Sequence, residues 1–129
     1  QSVDVLFPCA VQYVITADNV DSIAASAVVE GANNPCTMEA RGLLEDRGVT
    51  VIPDFIANPG GAIAASVEMT SSVTDEENAS TRAKVLEAKQ TTQDLVTANV
   101  GEVLDIADAH EAALVDAASL LALRRVLGS

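Results

Sequence analysis

The sequence has no tryptophan, two phenylalanines and one tyrosine. Phe7, Tyr13 and Phe55 are too few to build a stacking platform for nucleic-acid bases. Basic residues are also scarce: seven Lys and Arg stand against 19 Asp and Glu, a formal net charge of −12. Binding to a phosphate backbone needs clustered Lys and Arg, so no nucleic-acid partner is expected. The acidity is not a tail: residues 1–70 hold nine acids and two bases, residues 71–129 ten acids and five bases. It reads as a well-solvated surface. Two cysteines, Cys9 and Cys36, and one histidine, His110, make no plausible zinc set, and no CxxC occurs. Two buried, reduced thiols are expected, which places the chain in the cytoplasm; the spacing leaves a disulfide open. No apolar run approaches the roughly 20 residues of a membrane span. The opening QSVDVLFPCA lacks the basic start of a signal peptide, so no membrane partner is expected. Methionine is sparse as well. Residue 1 is Gln, the first methionine is Met38, and a buried-looking strand begins almost at once. These features suggest an excised domain or the end of a longer protein.

What the chain does have is small apolar side chains. Nearly half of its 129 residues are hydrophobic, mostly Ala, Val and Leu. That suffices for the core of one domain, or part of one. VDVLFPCA (3–10) is a short apolar run ended by Pro8 and reads as a buried strand. ITADNVDSIAA follows, with Thr16 as the candidate cap of a short helix. SAVVEGANNP (26–35) is a second strand, stopped by Gly31 and Asn33-Asn34-Pro35. CTMEARGLLEDRG predicts a helix with Thr37 as N-cap, Met38, Leu43 and Leu44 as its apolar positions, and Gly48 at its end. VTVIPD (49–54) is the third strand, and a helix rich in small residues follows Gly60-Gly61. Apolar strands without alternation, separated by helices, imply a parallel sheet covered on both faces.

Beyond Ser71 the texture turns helical. Thr74 and Glu77 have capping-box spacing. A long helix is expected over roughly 76–108, with Val85, Leu86, Leu95, Val96, Val103, Leu104 and Ile106 on one stripe. After a break near DAHEAAL, a last helix carries Ala117, Ala118, Leu120, Leu121, Leu123 and Leu127. Arg124 and Arg125 oppose its dipole, and Gly128 ends it. The expected division is 1–71, three parallel strands with their helices, and 72–129, C-terminal helices packing on them.

Each strand finishes in a small or polar segment: Pro8-Cys9-Ala10, Gly31-Ala32-Asn33-Asn34 and Ala57-Asn58-Pro59-Gly60-Gly61. Ligands of open parallel sheets bind at the carboxyl ends of the strands, so the three segments should line one crevice. Asn33 and Asn58 can each donate and accept hydrogen bonds, which suits a neutral amide or ribose hydroxyls. Gly60 and Gly61 let a ligand approach the backbone and leave N–H groups at a helix start. Each segment taken alone reads more readily as a turn than as a ligand contact. Glu30 and Asp54 border the same rim and are expected to be solvated carboxylates.

In that order, VDVLFPCA, VVEGANNPCTMEA and LEDRGVTVIPDFIANPGGAIAASVEM resemble the glutamate/leucine/phenylalanine/valine dehydrogenase family. The similarity covers roughly residues 3–70 strongly, across the second half of the family's nucleotide-binding domain, and continues weakly through the helical tail. The fold class it implies is α/β: half of a Rossmann-like three-layer parallel sheet, followed by C-terminal helices. The activity it implies is reversible oxidative deamination of an L-amino acid to a 2-oxo acid and ammonia, with NAD or NADP accepting the hydride. By the same resemblance, Asn33 contacts the nicotinamide ribose region, Asn58 lies near nicotinamide and substrate, and Pro8-Cys9-Ala10 passes beneath the dinucleotide.

Three departures bear on this. No GxGxxG occurs, so the phosphate-binding turn should lie upstream of Gln1. The family's catalytic lysine and aspartate belong to a substrate domain that is also absent, and Lys84 and Lys89 in the long helix are poor substitutes. Glutamate-specific members carry serine where this chain has Ala65, a substrate-binding position, which permits but does not establish a branched or aromatic amino acid as substrate; Pro59 also replaces a more usual small residue. The expected partners are therefore a nicotinamide dinucleotide, a small amino acid and further copies of the chain as a homo-oligomer. The rival expectation is a non-catalytic binding or assembly module, since half a sheet leaves an open strand edge.

Overall fold

In a computed structural model, the structure describes residues 3–70 and 77–128, without the side chains of 70 and 77–82. Along the chain come β1 (Val5–Leu6), a 3-10 turn (Val20–Ser22), β2 (Ala27–Val29), α1 (Met38–Asp46) and β3 (Thr50–Ile52). Then follow α2 (Asp54–Ala57), α3 (Gly60–Thr70), α4 (Glu77–His110) and α5 (Leu114–Leu127). The strands form one parallel sheet in the order β1-β2-β3, with Val5 opposite Ala27 and Val28 opposite Val51. Parallel strands need crossovers on the sheet faces, and α1 supplies the one between β2 and β3. The expected α/β class, with a three-stranded parallel sheet and C-terminal helices, is what forms.

Successive strand residues point to opposite faces, and the core divides accordingly. Val28 and Val51 turn to one face and pack with Ile15, Val20, Cys36, Ala40, Leu44 and Val49. Ile52 turns to the other and packs against Ile56, Val103, Ile106, Ala107, Ala117, Ala118 and Leu121. The sheet is thus sandwiched between α1 and the α4–α5 pair.

The ends of α1 follow the sequence. Thr37 Oγ1 accepts from the Ala40 N–H at 3.2 Å, capping the first turn. At the other end Gly48 takes φ +76°, the left-handed conformation glycine adopts without Cβ strain. The Gly48 N–H donates to Glu45 O at 2.8 Å and the Val49 N–H to Leu44 O at 3.0 Å. This is the Schellman closure, and it delivers the chain directly into β3. Arg47 then clamps the neighbouring turn, donating to Val20 O at 2.8 Å and Ile23 O at 2.6 Å.

Several expectations are corrected. β1 is a strand but is not buried: Val5 is exposed and Phe7 is 60% exposed. It lies at the sheet edge, where no further strand covers it among the described residues. The expected helix after Thr16 is a single 3-10 turn with Asn19 as its N-cap. Asn19 Oδ1 accepts from the Thr16 N–H at 2.9 Å, closing the turn ahead of it, and no side chain caps the 3-10 turn itself. Met38 is 87% exposed; Ala40, not Met38, shares the buried face of α1 with Leu44. On α4 only Val103 and Ile106 of the expected stripe are buried, while Val85, Leu86, Leu95 and Leu104 are exposed. On α5, Leu123 and Leu127 are likewise exposed. The sheet is too small to reach along the whole 34-residue helix, so helical periodicity there overstates burial. The break between α4 and α5 falls where it is expected, within DAHEAAL, at Glu111 with φ +51°. The cysteines are free, but Cys9 is exposed and only Cys36 is buried. The Thr74–Glu77 spacing lies partly outside the described residues. Among those residues, no helix is long and apolar enough to cross a membrane.

Core filling by α1 can be measured directly. Leu44→Ala is expected to cost about 2–5 kcal/mol of unfolding free energy. Met38→Ala should stay within about 0.5 kcal/mol of wild type. Chemical-denaturation midpoints of the two variants test this contrast.

Candidate functional site

The three carboxyl-terminal strand ends meet, and the first link is backbone. Pro8 is buried, and its carbonyl accepts from the Ala32 N–H at 2.9 Å. This docks the exit of β1 on the exit of β2. Cys9 Sγ occupies the space a side chain on Gly31 would need, so a Cβ there would collide with it. A larger residue at 31 would fit only if the exposed Cys9 side chain turned away.

Asn34 turns the chain with φ +45°, a conformation asparagine tolerates better than most residues. Its carbonyl accepts from the Tyr13 N–H at 2.9 Å, and that of Pro35 from the Ile15 N–H at 2.9 Å. The β2 exit loop is thereby held along its length.

Asn58 does not follow β3 directly. Pro53 starts the single turn α2, and Asn58 is its C-cap. One helical turn carries its side chain back over the β2 exit. Asn58 Nδ2 donates to Gly31 O at 3.3 Å and to Asn33 Oδ1 at 3.0 Å. A carbonyl oxygen can only accept, so the Gly31 contact fixes which end of the Asn58 amide is nitrogen. That in turn fixes the Asn33 amide. Asn33 Nδ2 and Asn58 Oδ1 are left without hydrogen bonds to any described residue. The result is one free donor and one free acceptor on a locked amide pair. Asn33 is exposed and Asn58 half-buried.

Beneath the pair lies Glu30, whose side chain is 0% exposed. Arg41 Nη2 donates to its Oε2 at 2.7 Å and its Oε1 at 2.9 Å. The Asp54 N–H donates to Oε2 at 2.9 Å. Burial, together with the neighbouring Glu30 carboxylate, pushes the Cys36 thiol up to about 12, against the pull of Arg41. It is a neutral thiol here, not a nucleophile. Burial also raises Glu45, one turn along α1 from Arg41, with Arg41 opposing. The expectation of two solvated carboxylates is wrong for Glu30, which is buried and paired, and incomplete for Asp54, which is half-buried and accepts from the Asn34 N–H at 2.9 Å.

Of the residues singled out by sequence, Pro8, Cys9, Ala10, Asn33 and Asn58 fall on the three strand exits, and all but Ala10 are tied together by the contacts above. Gly60, Gly61 and Ala65 sit on α3. The missing side chain of Gly60 faces Thr92 of α4, which a Cβ would meet at 3.3 Å, whereas Gly61 faces open space. Ala65 is exposed one turn from Gly61, on the same side of the helix. Sequence reasoning missed Arg41 and Cys36. The usable signal was the scarcity of bases: residues 1–70 contain only Arg41 and Arg47, and Arg41 lies three residues before Leu44 on the inward side of α1.

Removing Arg41 would leave a buried carboxylate without its counter-charge. Arg41→Ala should therefore lose about 3–5 kcal/mol of stability at neutral pH, read by denaturant titration. The Cys36 thiol predicts an alkaline trend. Its folded value lies above the ordinary 9.0, so between pH 9.0 and about 12 the folded chain keeps a proton the unfolded chain has released. Stability should fall as pH rises through that window. Cys36→Ala should flatten the fall in thermal melts.

The model of the glutamate/leucine/phenylalanine/valine dehydrogenase family matches residues 1–129. Over 66 residues the chain is 53% identical to NAD-specific glutamate dehydrogenase A of Halobacterium salinarum, taking in 51% of this chain and 15% of that protein. Over 68 residues it is 48% identical to the NADP(+)-dependent glutamate dehydrogenase of Pyrobaculum calidifontis, taking in 53% and 16%. The crystal structure of L-tryptophan dehydrogenase from Nostoc punctiforme superposes with a TM-score of 0.79 at 25% identity, covering 99% of this chain and 36% of that one. The chain aligns with only 15–16% of the length of these curated relatives.

Proposed function

The chain belongs to the glutamate/leucine/phenylalanine/valine dehydrogenase family, and on that premise we propose that it is the C-terminal part of an NAD(P)-dependent amino-acid dehydrogenase. Residues 1–71 form the second half of its dinucleotide-binding domain, and residues 72–129 form helices packing on it. The reaction is reversible oxidative deamination of an L-amino acid to a 2-oxo acid and ammonia. Bound NAD or NADP supplies the hydride acceptor.

The observation that carries this reading is the Asn58–Asn33 amide contact, 3.0 Å, over the ends of parallel strands. Its free donor and acceptor match the acceptor and donor of a carboxamide. A nicotinamide amide or a ribose hydroxyl can therefore be held by Asn33 Nδ2 and Asn58 Oδ1 without rearranging the pair. Cys9, Ala10 and Gly31 are exposed at the neighbouring strand exits and are available to a bound dinucleotide. Holding the ring in one orientation supplies rate through proximity. In this reading Gly61 and Ala65, exposed on one side of α3, lie on the amino-acid side of the site. The substrate class is L-amino acids, with glutamate, branched and aromatic members as the panel to test. The enzyme is a cytoplasmic homo-oligomer in this proposal.

One observation favours the rival assembly module: the unpaired β1 edge with Val5 and Phe7 exposed. A single set of assays separates the two. The intact protein should oxidise at least one L-amino acid with NAD or NADP. Asn58→Ala should lower kcat/KM by about 10- to 100-fold, because losing the orienting amide misplaces the reacting ring. An intact protein that turns over no amino acid and binds no dinucleotide, yet associates through β1 in sizing chromatography, would decide for the module.

A further inference from the structure

The two asparagines stand on separate segments, 25 residues apart in sequence, and one residue touches both segments. Asp54 O accepts from the Asn58 N–H at 2.7 Å. Asp54 Oδ2 accepts from the N–H of Asn34, the neighbour of Asn33, at 2.9 Å. The Asp54 N–H donates to Glu30 Oε2 at 2.9 Å, and Glu30 is locked by Arg41. We propose that Asp54, anchored on the buried Glu30–Arg41 pair, is the positioning residue that sets the separation and orientation of the Asn33–Asn58 amides. The catalytic consequence of this rests on the dinucleotide reading above; the geometric part does not.

The chemistry is specific about what Asp54 must be. Its backbone contacts would survive any substitution that leaves α2 intact. The side-chain contact to Asn34 needs an acceptor one carbon from the backbone Cβ. Asparagine keeps that acceptor and loses the charge. Glutamate keeps the charge and moves the acceptor by a methylene. Alanine removes both. Asp54 is also the first residue of a helical turn, where a negative charge is favourable for the dipole alone. A purely structural role through charge would therefore leave Asp54→Glu like wild type and make Asp54→Asn resemble Asp54→Ala. A positioning role inverts that order.

The test has two arms. In the intact protein, the through-space NMR contact between the Asn58 side-chain amide protons and the Asn33 side chain should be present in wild type and D54N. It should be lost in D54A and D54E, while the methyl signals of Val28, Val51 and Leu44 stay in place. In the intact enzyme, D54A and D54E should raise KM for the dinucleotide about tenfold, with D54N within about twofold of wild type. If D54A fails to fold, the order of D54N and D54E decides. Persistence of the amide contact in D54E, or its loss in D54N, overturns the proposal. A wild-type enzyme that binds no dinucleotide defeats the functional reading instead, and the first arm still rules on the positioning of the pair.

Discussion

A carboxylate without solvent is the constraint on which this structure turns. Glu30 sits at the end of the central strand with no exposed side-chain surface. Its charge must be matched on the spot, because an unpaired buried carboxylate costs several kcal/mol. Arg41 reaches the end of β2 from α1, and the Asp54 N–H reaches it from the start of α2. Three segments are thereby drawn to one point. A well-packed apolar cluster could hold the same layers together with less desolvation. What an apolar cluster would not impose is direction: each partner must present a donor at hydrogen-bond distance.

That direction is what the strand exits use. β2 ends at Val29, Glu30 follows it directly, and the next residues, Gly31 to Asn34, carry half of the candidate site. β3 ends one residue before Pro53, and α2 carries the other half. Fixing the first N–H of α2 on Glu30 fixes the turn that ends in Asn58. The exposed amide pair is thus mounted on a buried ionic support. Asn58 Nδ2 and Asn33 Oδ1 are held in their mutual contact, while Asn33 Nδ2 and Asn58 Oδ1 make no hydrogen bond to a described residue. In a family whose members act on amino acids through a nicotinamide dinucleotide, such a mount is well suited to orienting a planar carboxamide.

Much of this was legible beforehand. The order of elements, the parallel sheet, the Thr37 cap and the Gly48 stop follow from local chemistry: short β-branched runs, a hydroxyl before a helix, a glycine at positive φ. The candidate asparagines were legible through their strand-end positions. Burial was less so. Met38 and Leu44 look alike as apolar letters, yet the helix turns one out and one in. The α4 stripe has helical spacing throughout, but only its second half meets the sheet. Val5 and Phe7 have strand chemistry, and their exposure depends on what lies beside the edge, which pattern does not encode.

Glu30 shows the boundary most plainly. As a letter it follows Val28 and Val29 and precedes a glycine, which reads as a charge emerging into water at the end of a strand. Its partner lies eleven residues on, across a loop and a helical cap. The local sequence, through propensity, capping and hydrophobic period, determined which segments are strands and helices and in what order. Only the packing of α1 and α2 onto the sheet decided that a carboxylate would be enclosed with an arginine, and that two distant amides would touch. The reason is physical: propensity acts over a few neighbours, whereas desolvation and hydrogen-bond satisfaction are settled by whichever groups the finished fold brings within about 3 Å.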